Sequence, residues 1–354
     1  MIPTTPLKTA YPWTRTPFIA SAPMRLIALA PLAYAVSLAG GLGFLAAGTD
    51  LNDLKRQLQI VTDLVAQTHL PGSSSDLPIG IGFINWAVDL EIALETLREY
   101  IPAAVWLFAP RKNEDLVEWT KKIREVSKGK TKIWIQIGTV TDAIEIARSC
   151  HPDVLVVQGA DAGGHGLAQG AGIVSLLPEV ADGMRGMEME SIPLVAAGGI
   201  TEGRGVAAAL ALGAGGVVMG TRFLASKEAD IAKGYQYDVL RTRDGGKSTI
   251  RTGVYDILRG TKGWPDRYNG RGIINQSYLD AQKHGRITDE NKKLYEEALQ
   301  KGDQGWGENG RVTAYAGCGV GLVKEVKYAK EIMDEVRQDA ADVLSKLSRA
   351  TSNL

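Results

Sequence analysis

The sequence predicts a single TIM-type (β/α)8 barrel with a smaller, mainly helical insertion after its eighth strand and a C-terminal helix. Three observations predict it. Short apolar runs alternate with helical patterns as far as residue 226, the mark of repeated βα units around a parallel sheet. Eight such runs can be counted, and most do not alternate in polarity, as strands covered on both faces should not. A chain of 354 residues also suits a barrel of about 250 residues with one excursion. The expected division is a barrel over residues 1–226, a covering insertion over 227–315, and a helix over 316–354 that packs back on the barrel.

The first run, residues 18–21, ends in Ala22, Pro23 and Met24. The second, 43–46, follows a glycine cluster, and the third, 79–83, leads to Asn85. After the fourth, 104–108, Asn113 stands ahead of an apolar repeat at Leu116, Trp119, Ile123 and Val126. The fifth, 133–137, contains Gln136; Thr139 with Asp142 then forms a capping box ahead of Ile144 and Ala147. Both segments read as outer-ring helices. The sixth run, 154–158, passes directly into a glycine-rich loop, 159–166. The seventh, 194–197, ends in Gly198 and Gly199, and the eighth, 217–219, in Gly220 and Thr221.

From 227 to 311 charges and turn residues dominate, and seven of the eleven tyrosines fall between Tyr235 and Tyr315. Helical periodicity returns at Ala329, Ile332, Met333, Val336, Ala340, Val343, Leu344 and Leu347.

Forty basic residues balance forty acidic ones, which excludes the positive footprint of a nucleic-acid binder. Cys150 and Cys318 are far apart and outside any CxxC pattern, so neither a disulfide framework nor a zinc site is expected and no metal is assigned. The most apolar stretch, 18–47, is interrupted by Pro23, Arg25, Pro31 and glycines, unlike a membrane span. A reducing compartment, the cytoplasm, is the natural reading; Ser352, Asn353 and Leu354 resemble a degenerate SKL signal, which keeps the peroxisome open.

In a TIM barrel the working surface lies at the C-terminal strand ends. The sixth end is the most unusual: residues 159–166 hold four glycines, one acid and His165. A turn with an incidental histidine is the bland alternative. His165, however, stands between Gly164 and Gly166 with no neighbouring side chain to bury it, whereas His151, ahead of a proline, reads as structural. Gly159 and Gly164 let a flat ligand approach the backbone. The amides at Gly198, Gly199, Gly220 and Thr221 suit a phosphate, which barrels often bind with the loops after strands seven and eight. Asn85 and Gln136 become candidates only as part of this constellation; Trp86, Trp106 and Trp134 read as packing.

These residues carry a resemblance. The 22–24 opening, the 35–43 segment, Asn85, the 158–166 signature, the 196–200 glycines and residues 219–222 resemble the nitronate monooxygenases, formerly 2-nitropropane dioxygenases, in a fungal form. The resemblance runs across most of residues 17–226 and is weaker beyond. It implies an FMN flavoprotein that oxidises alkyl nitronates, and sometimes nitroalkanes, with O2 to carbonyl compounds and nitrite. By the same resemblance His165 is the catalytic acid/base, and Met24, Asn85, Gln136, Gly159, Gly164, Gly199, Gly220 and Thr221 are cofactor contacts; Ala22, Pro23 and Gly198, at the same strand ends, join them on the reading of the residues. The partners are then a small substrate and O2, with no membrane or nucleic acid; a homodimer is compatible with the sequence. One departure stands near the C-terminus: where the family often has an Ala-Gly-Gln-Gly stretch, residues 316–319 place Cys318, and that glutamine's contact is not carried over. The rival readings are an NADH:quinone reductase or flavin-dependent enoyl reductase on the same fold, a lyase or isomerase with His165 as base, and a non-redox phosphate-binding module.

Overall fold

Strands of two-residue period, each long enough to cross one layer, form the centre of the protein. The computed structural model describes residues 5–68, 70 and 77–351, so the C-terminal Ser352-Asn353-Leu354 signal lies outside the described residues. The described strands are β1 (Ile19–Ser21), β2 (Phe44–Ala46), β3 (Leu77–Ile84), β4 (Pro102–Phe108), β5 (Lys132–Ile137), β6 (Val154–Gln158), β7 (Gly164–Leu167), β8 (Leu194–Ala197), β9 (Gly216–Met219), β10 (Thr249–Thr252) and β11 (Tyr268–Ile273). All but β7, β10 and β11 form one parallel sheet, in the order β1-β9-β8-β6-β5-β4-β3-β2. The sheet closes where Ser21 donates to the Leu42 carbonyl and Leu42 to that of Ile19, both at 3.1 Å. This is the (β/α)8 barrel that the eight runs predict.

Alternation sorts each strand into two cores. Ile133, Ile135, Leu155 and Val157 face the helices, while Trp134, Val154 and Val156 point inward with Trp106 and Phe44. Trp134 plugs the interior; its indole N–H donates to the Tyr11 hydroxyl at 2.7 Å, so the N-terminal segment closes the bottom.

The outer helices follow their signals with one change. Thr139 caps helix Val140–Cys150, its hydroxyl accepting from Asp142 N at 3.0 Å. Asn113 instead opens helix Asn113–Val126, the cap falling on Lys112, and its amide reaches Glu145 of the next helix at 3.0 Å.

The insertion is more than helical. β10, β11 and β7 form a second, antiparallel sheet, so part of the expected glycine-rich loop after β6 is a strand, because β11 supplies it with a partner. Helix Ala329–Thr351 packs on helices Gly203–Ala211 and Ala30–Leu38. Ala329, Ile332, Met333, Val336 and Ala340 are buried there, but Leu344 and Leu347 of the same apolar face are exposed because the helix outruns the barrel. Arg337 from this helix donates to the carbonyls of Ala39 and Gly40 at 2.6 Å each, closing the C-terminus of Ala30–Leu38.

Gly203 permits that docking: a Cβ there would stand 2.3 Å from the backbone nitrogen of Ala340. Alanine in place of glycine inside a helix normally stabilises by up to about 1 kcal/mol. Here a backbone atom blocks the methyl, so Gly203→Ala should destabilise by about 1–3 kcal/mol. A thermal melt reads this as a lowered midpoint; an unchanged or raised midpoint would show the helices separate freely.

Candidate functional site

The two-residue period that buries Trp134 also places Gln136 inward one layer higher, and it does the same for Gln158 above Val156. The Gln136 carboxamide oxygen accepts from the Trp106 indole at 3.1 Å, and the Gln158 amide donates to the His165 carbonyl at 3.2 Å. Above this polar layer a cavity of about 390 Å³ opens at the C-terminal ends of the barrel strands.

Its lining brings together most of the residues singled out from sequence: Ala22, Pro23, Met24, Gln136, Gly164, His165, Gly198, Gly199, Gly220 and Thr221. Gly159 and Asn85 are not among the lining residues. Gly159 packs under the loop, where a Cβ would meet Ile173 at 2.8 Å. Asn85 lies between the lining residues Ile84 and Trp86, and both polar atoms of its buried amide are without a partner among the described residues. Gly198 and Gly199 hold φ of +109° and +75°, left-handed conformations that other residues adopt only under strain. The N–H groups of Gly199, Gly220 and Thr221 donate to nothing among the described residues. Of the tryptophans read as packing, Trp134 is fully buried, whereas Trp106 and Trp86 also line the cavity.

His165 sits on β7, opposite Gly270 of β11. Its Nε2 lies 2.8 and 3.0 Å from the carboxylate oxygens of Asp256, and its ring stacks on Trp264 with centroids 3.7 Å apart and planes 5° from parallel. The Tyr315 hydroxyl donates to Asp256 Oδ1 at 3.2 Å, and the Tyr235 hydroxyl donates to the Tyr315 carbonyl at 2.6 Å. Asp256, Trp264, Tyr235 and Tyr315 also line the cavity.

The histidine loop is clamped from behind. Cys318 N donates to the Asp161 carbonyl at 2.9 Å, and Gly317 N to the Thr221 hydroxyl at 3.0 Å. A Cβ on Gly163 would lie 2.4 Å from Gly317 N, so this approach needs glycine. Arg251 donates to the Ala162 carbonyl at 2.8 Å and Arg271 to the Ala160 carbonyl at 3.2 Å. Burial, aided by the Arg271 charge, pushes the Arg251 guanidinium down to about 10. Burial also pushes the Cys318 thiol up. Among the described residues no cluster of three His, Cys, Asp or Glu is disposed to hold a metal ion, and no helix is long and apolar enough to cross a membrane.

Sequence reasoning missed Asp256 and Trp264, and it left open which tyrosine faces the cavity. Asp256 is 91 residues from His165 and one of forty acids; nothing local marks it. Trp264 had a signal, a large aromatic between Gly263 and Pro265 in a charged, turn-rich segment.

The nitronate monooxygenase family model matches residues 114–251. The chain is 47% identical to the nitronate monooxygenase npaC of Metarhizium robertsii over 96% of each chain. It is 38% identical to a nitronate monooxygenase of Neurospora crassa over 97% of this chain and 94% of that one. Among solved structures, FabK from Thermotoga maritima superposes with a TM-score of 0.74 at 25% identity, covering 98% of this chain and 99% of that one. Nitroalkane oxidase from Streptomyces ansochromogenes has the same fold, with a TM-score of 0.72 at 22% identity over 97% and 100% of the two chains.

Burial, reinforced by the Asp256 charge, lifts the Tyr315 phenol far above its ordinary range. Burial does the same for Tyr11, Tyr235 and Tyr255. Unfolded phenols ionise near about pH 10, so the stability these groups contribute is complete below that pH and is lost as pH rises toward their folded values. In an alkaline absorbance titration their phenolate signal should rise only together with loss of the circular dichroism of the fold. Ionisation of every tyrosine by about pH 11 with the fold intact would refute this burial.

Proposed function

The chain belongs to the nitronate monooxygenase family, a family of oxidoreductases, and we propose that it is an FMN enzyme that oxidises alkyl nitronates with O2 to a carbonyl compound and nitrite. The observation that carries this reading is one mouth that gathers unengaged backbone amides, an inward glutamine layer and a single imidazole around a mostly apolar cavity. The N–H groups of Gly199, Gly220 and Thr221 would hold the phosphate without any lysine. Met24, Gln136 and the glycine-flanked loop would hold the ring system, with Asn85 behind the wall that Ile84 and Trp86 form. FMN bound there would supply the redox chemistry between the nitronate and O2.

The residues of the chain do the rest. His165 accepts the Cα proton of a neutral nitroalkane, or in its cationic form holds an anionic nitronate. Residues 227–315 cover the mouth with Asp256, Trp264 and Tyr315, and keep the reacting species away from bulk water.

A visible spectrum of the purified protein followed by anaerobic mixing tests cofactor and reaction together. The expected result is a yellow protein whose flavin is bleached by a nitronate without NADH. A colourless protein that cannot be reconstituted, or bleaching by NADH and not by nitronates, would overturn the proposal. His165→Asn should stay yellow and lose neutral-nitroalkane turnover by about 100-fold or more, with a smaller loss on preformed nitronates. Equal turnover of a nitroalkane by wild type and variant would remove His165 from this role.

A further inference from the structure

We infer that Asp256 is a positioning residue that commits Nε2 of His165 to a permanent hydrogen bond and leaves Nδ1 as the atom that exchanges protons with substrate. The inference rests on the acid/base reading of His165 and names the atom through which it works.

Glycine on both sides leaves His165 without sequence neighbours to orient its ring, so the orientation must come from elsewhere. Asp256 provides it. A carboxylate only accepts hydrogen bonds, so an Nε2 within 3.0 Å of both its oxygens must carry the proton and donate. The neutral ring then keeps its lone pair on Nδ1, which has no hydrogen-bond partner among the described residues, on a side chain that lines the cavity and stays 14% exposed. Rotation that would exchange the two nitrogens is opposed by the parallel Trp264 ring at 3.7 Å. The carboxylate is itself held: it is 12% exposed and accepts from the Tyr315 hydroxyl, and the Tyr315 backbone is tied by Tyr235. Burial keeps that phenol protonated and therefore a donor.

The proton balance follows. The Cα–H bond of the nitroalkane breaks and its electron pair stays on the substrate, giving the nitronate. The proton forms the Nδ1–H bond, and the resulting imidazolium keeps Nε2–H on Asp256, whose negative charge stabilises it. No electron leaves the substrate in this step.

The test uses the holoenzyme labelled with 15N-histidine. In wild type the neutral His165 ring should show a protonated Nε2 and an unprotonated Nδ1, and Asp256→Leu should shift the neutral ring toward the Nδ1–H form. In steady state, Asp256→Asn should lower the ratio of neutral-nitroalkane to preformed-nitronate kcat by about 10- to 100-fold, with the primary deuterium effect at Cα rising. Tyr315→Phe should lower the same ratio by about 2- to 10-fold, the equivalent of one hydrogen bond. A wild-type ring protonated on Nδ1 overturns the inference even if every variant fails to fold. Equal losses on nitroalkane and nitronate in Asp256→Asn also overturn it, since a purely structural role predicts them. A wild-type enzyme that oxidises no nitronate refutes the activity reading, and the tautomer on the same sample still decides the Asp256 assignment separately.

Discussion

The antiparallel pairing of β7 with β11 is the constraint on which the site depends. β7 is Gly-His-Gly-Leu, with almost no side chain to bury and no intrinsic reason to be a strand. β11 supplies the partner backbone and sets the register that puts His165 opposite Gly270. That register carries the rest of the insertion with it. β10 adds to β11, and helix Val254–Leu258 follows β10 and carries Asp256 to the imidazole. A one-residue slip in this ladder would turn His165 to the other face and separate the pair.

The same ladder has a cost. Arg251 and Arg271 lie directly opposite each other across β10 and β11, a like-charge pair that destabilises a sheet. Neither donates to a carboxylate among the described residues; they turn to the carbonyls of Ala162, Asn269 and Ala160. Carbonyl dipoles compensate a buried cation less fully than an anion does, and the lowered Arg251 value reflects the remaining penalty. In return, two rigid forks grip the Ala160 and Ala162 carbonyls of a loop too rich in glycine to hold itself. A lysine, with one flexible point of contact, would fix the loop less well.

The parts of this structure legible in the sequence are those governed by local pattern. Doubly covered strands read as apolar runs, so all eight barrel strands lie within a few residues of expectation, and the glycine density of residues 159–166 marks the loop that carries the imidazole. What was not legible depends on distant partners. β7 becomes a strand only because β11 reaches it, and Asp256 acquires its meaning from a ring 91 residues away. Leu344 and Leu347 continue a correct helical period yet stay exposed, since periodicity alone does not say where a packing surface ends. Gly159 and Asn85 stand at strand ends as expected, yet a strand end alone does not say whether a residue faces the cavity or lies beneath it.

Unsatisfied polar groups give an independent view of the same mouth. Among the described residues, Thr201 Oγ1 and the indole nitrogens of Trp86 and Trp264 are sealed from water without a partner, and all three residues line the cavity. Each such group costs a folded protein about 1–3 kcal/mol, and well-packed interiors hold few of them. Such atoms also occur away from the mouth, on Thr120, Ser127, Arg251, Asn291, Arg311 and Arg337, whereas in the barrel directly below the cavity the Trp106 and Trp134 indoles are both paired. Donors and acceptors already fixed by the turns that follow the barrel strands and by a stacked indole would pay little further entropy if a planar, polar-edged molecule met them. A cost borne in folding at these positions would then be offset by any ligand able to reach them, which ties the polarity of the mouth to binding and not to packing.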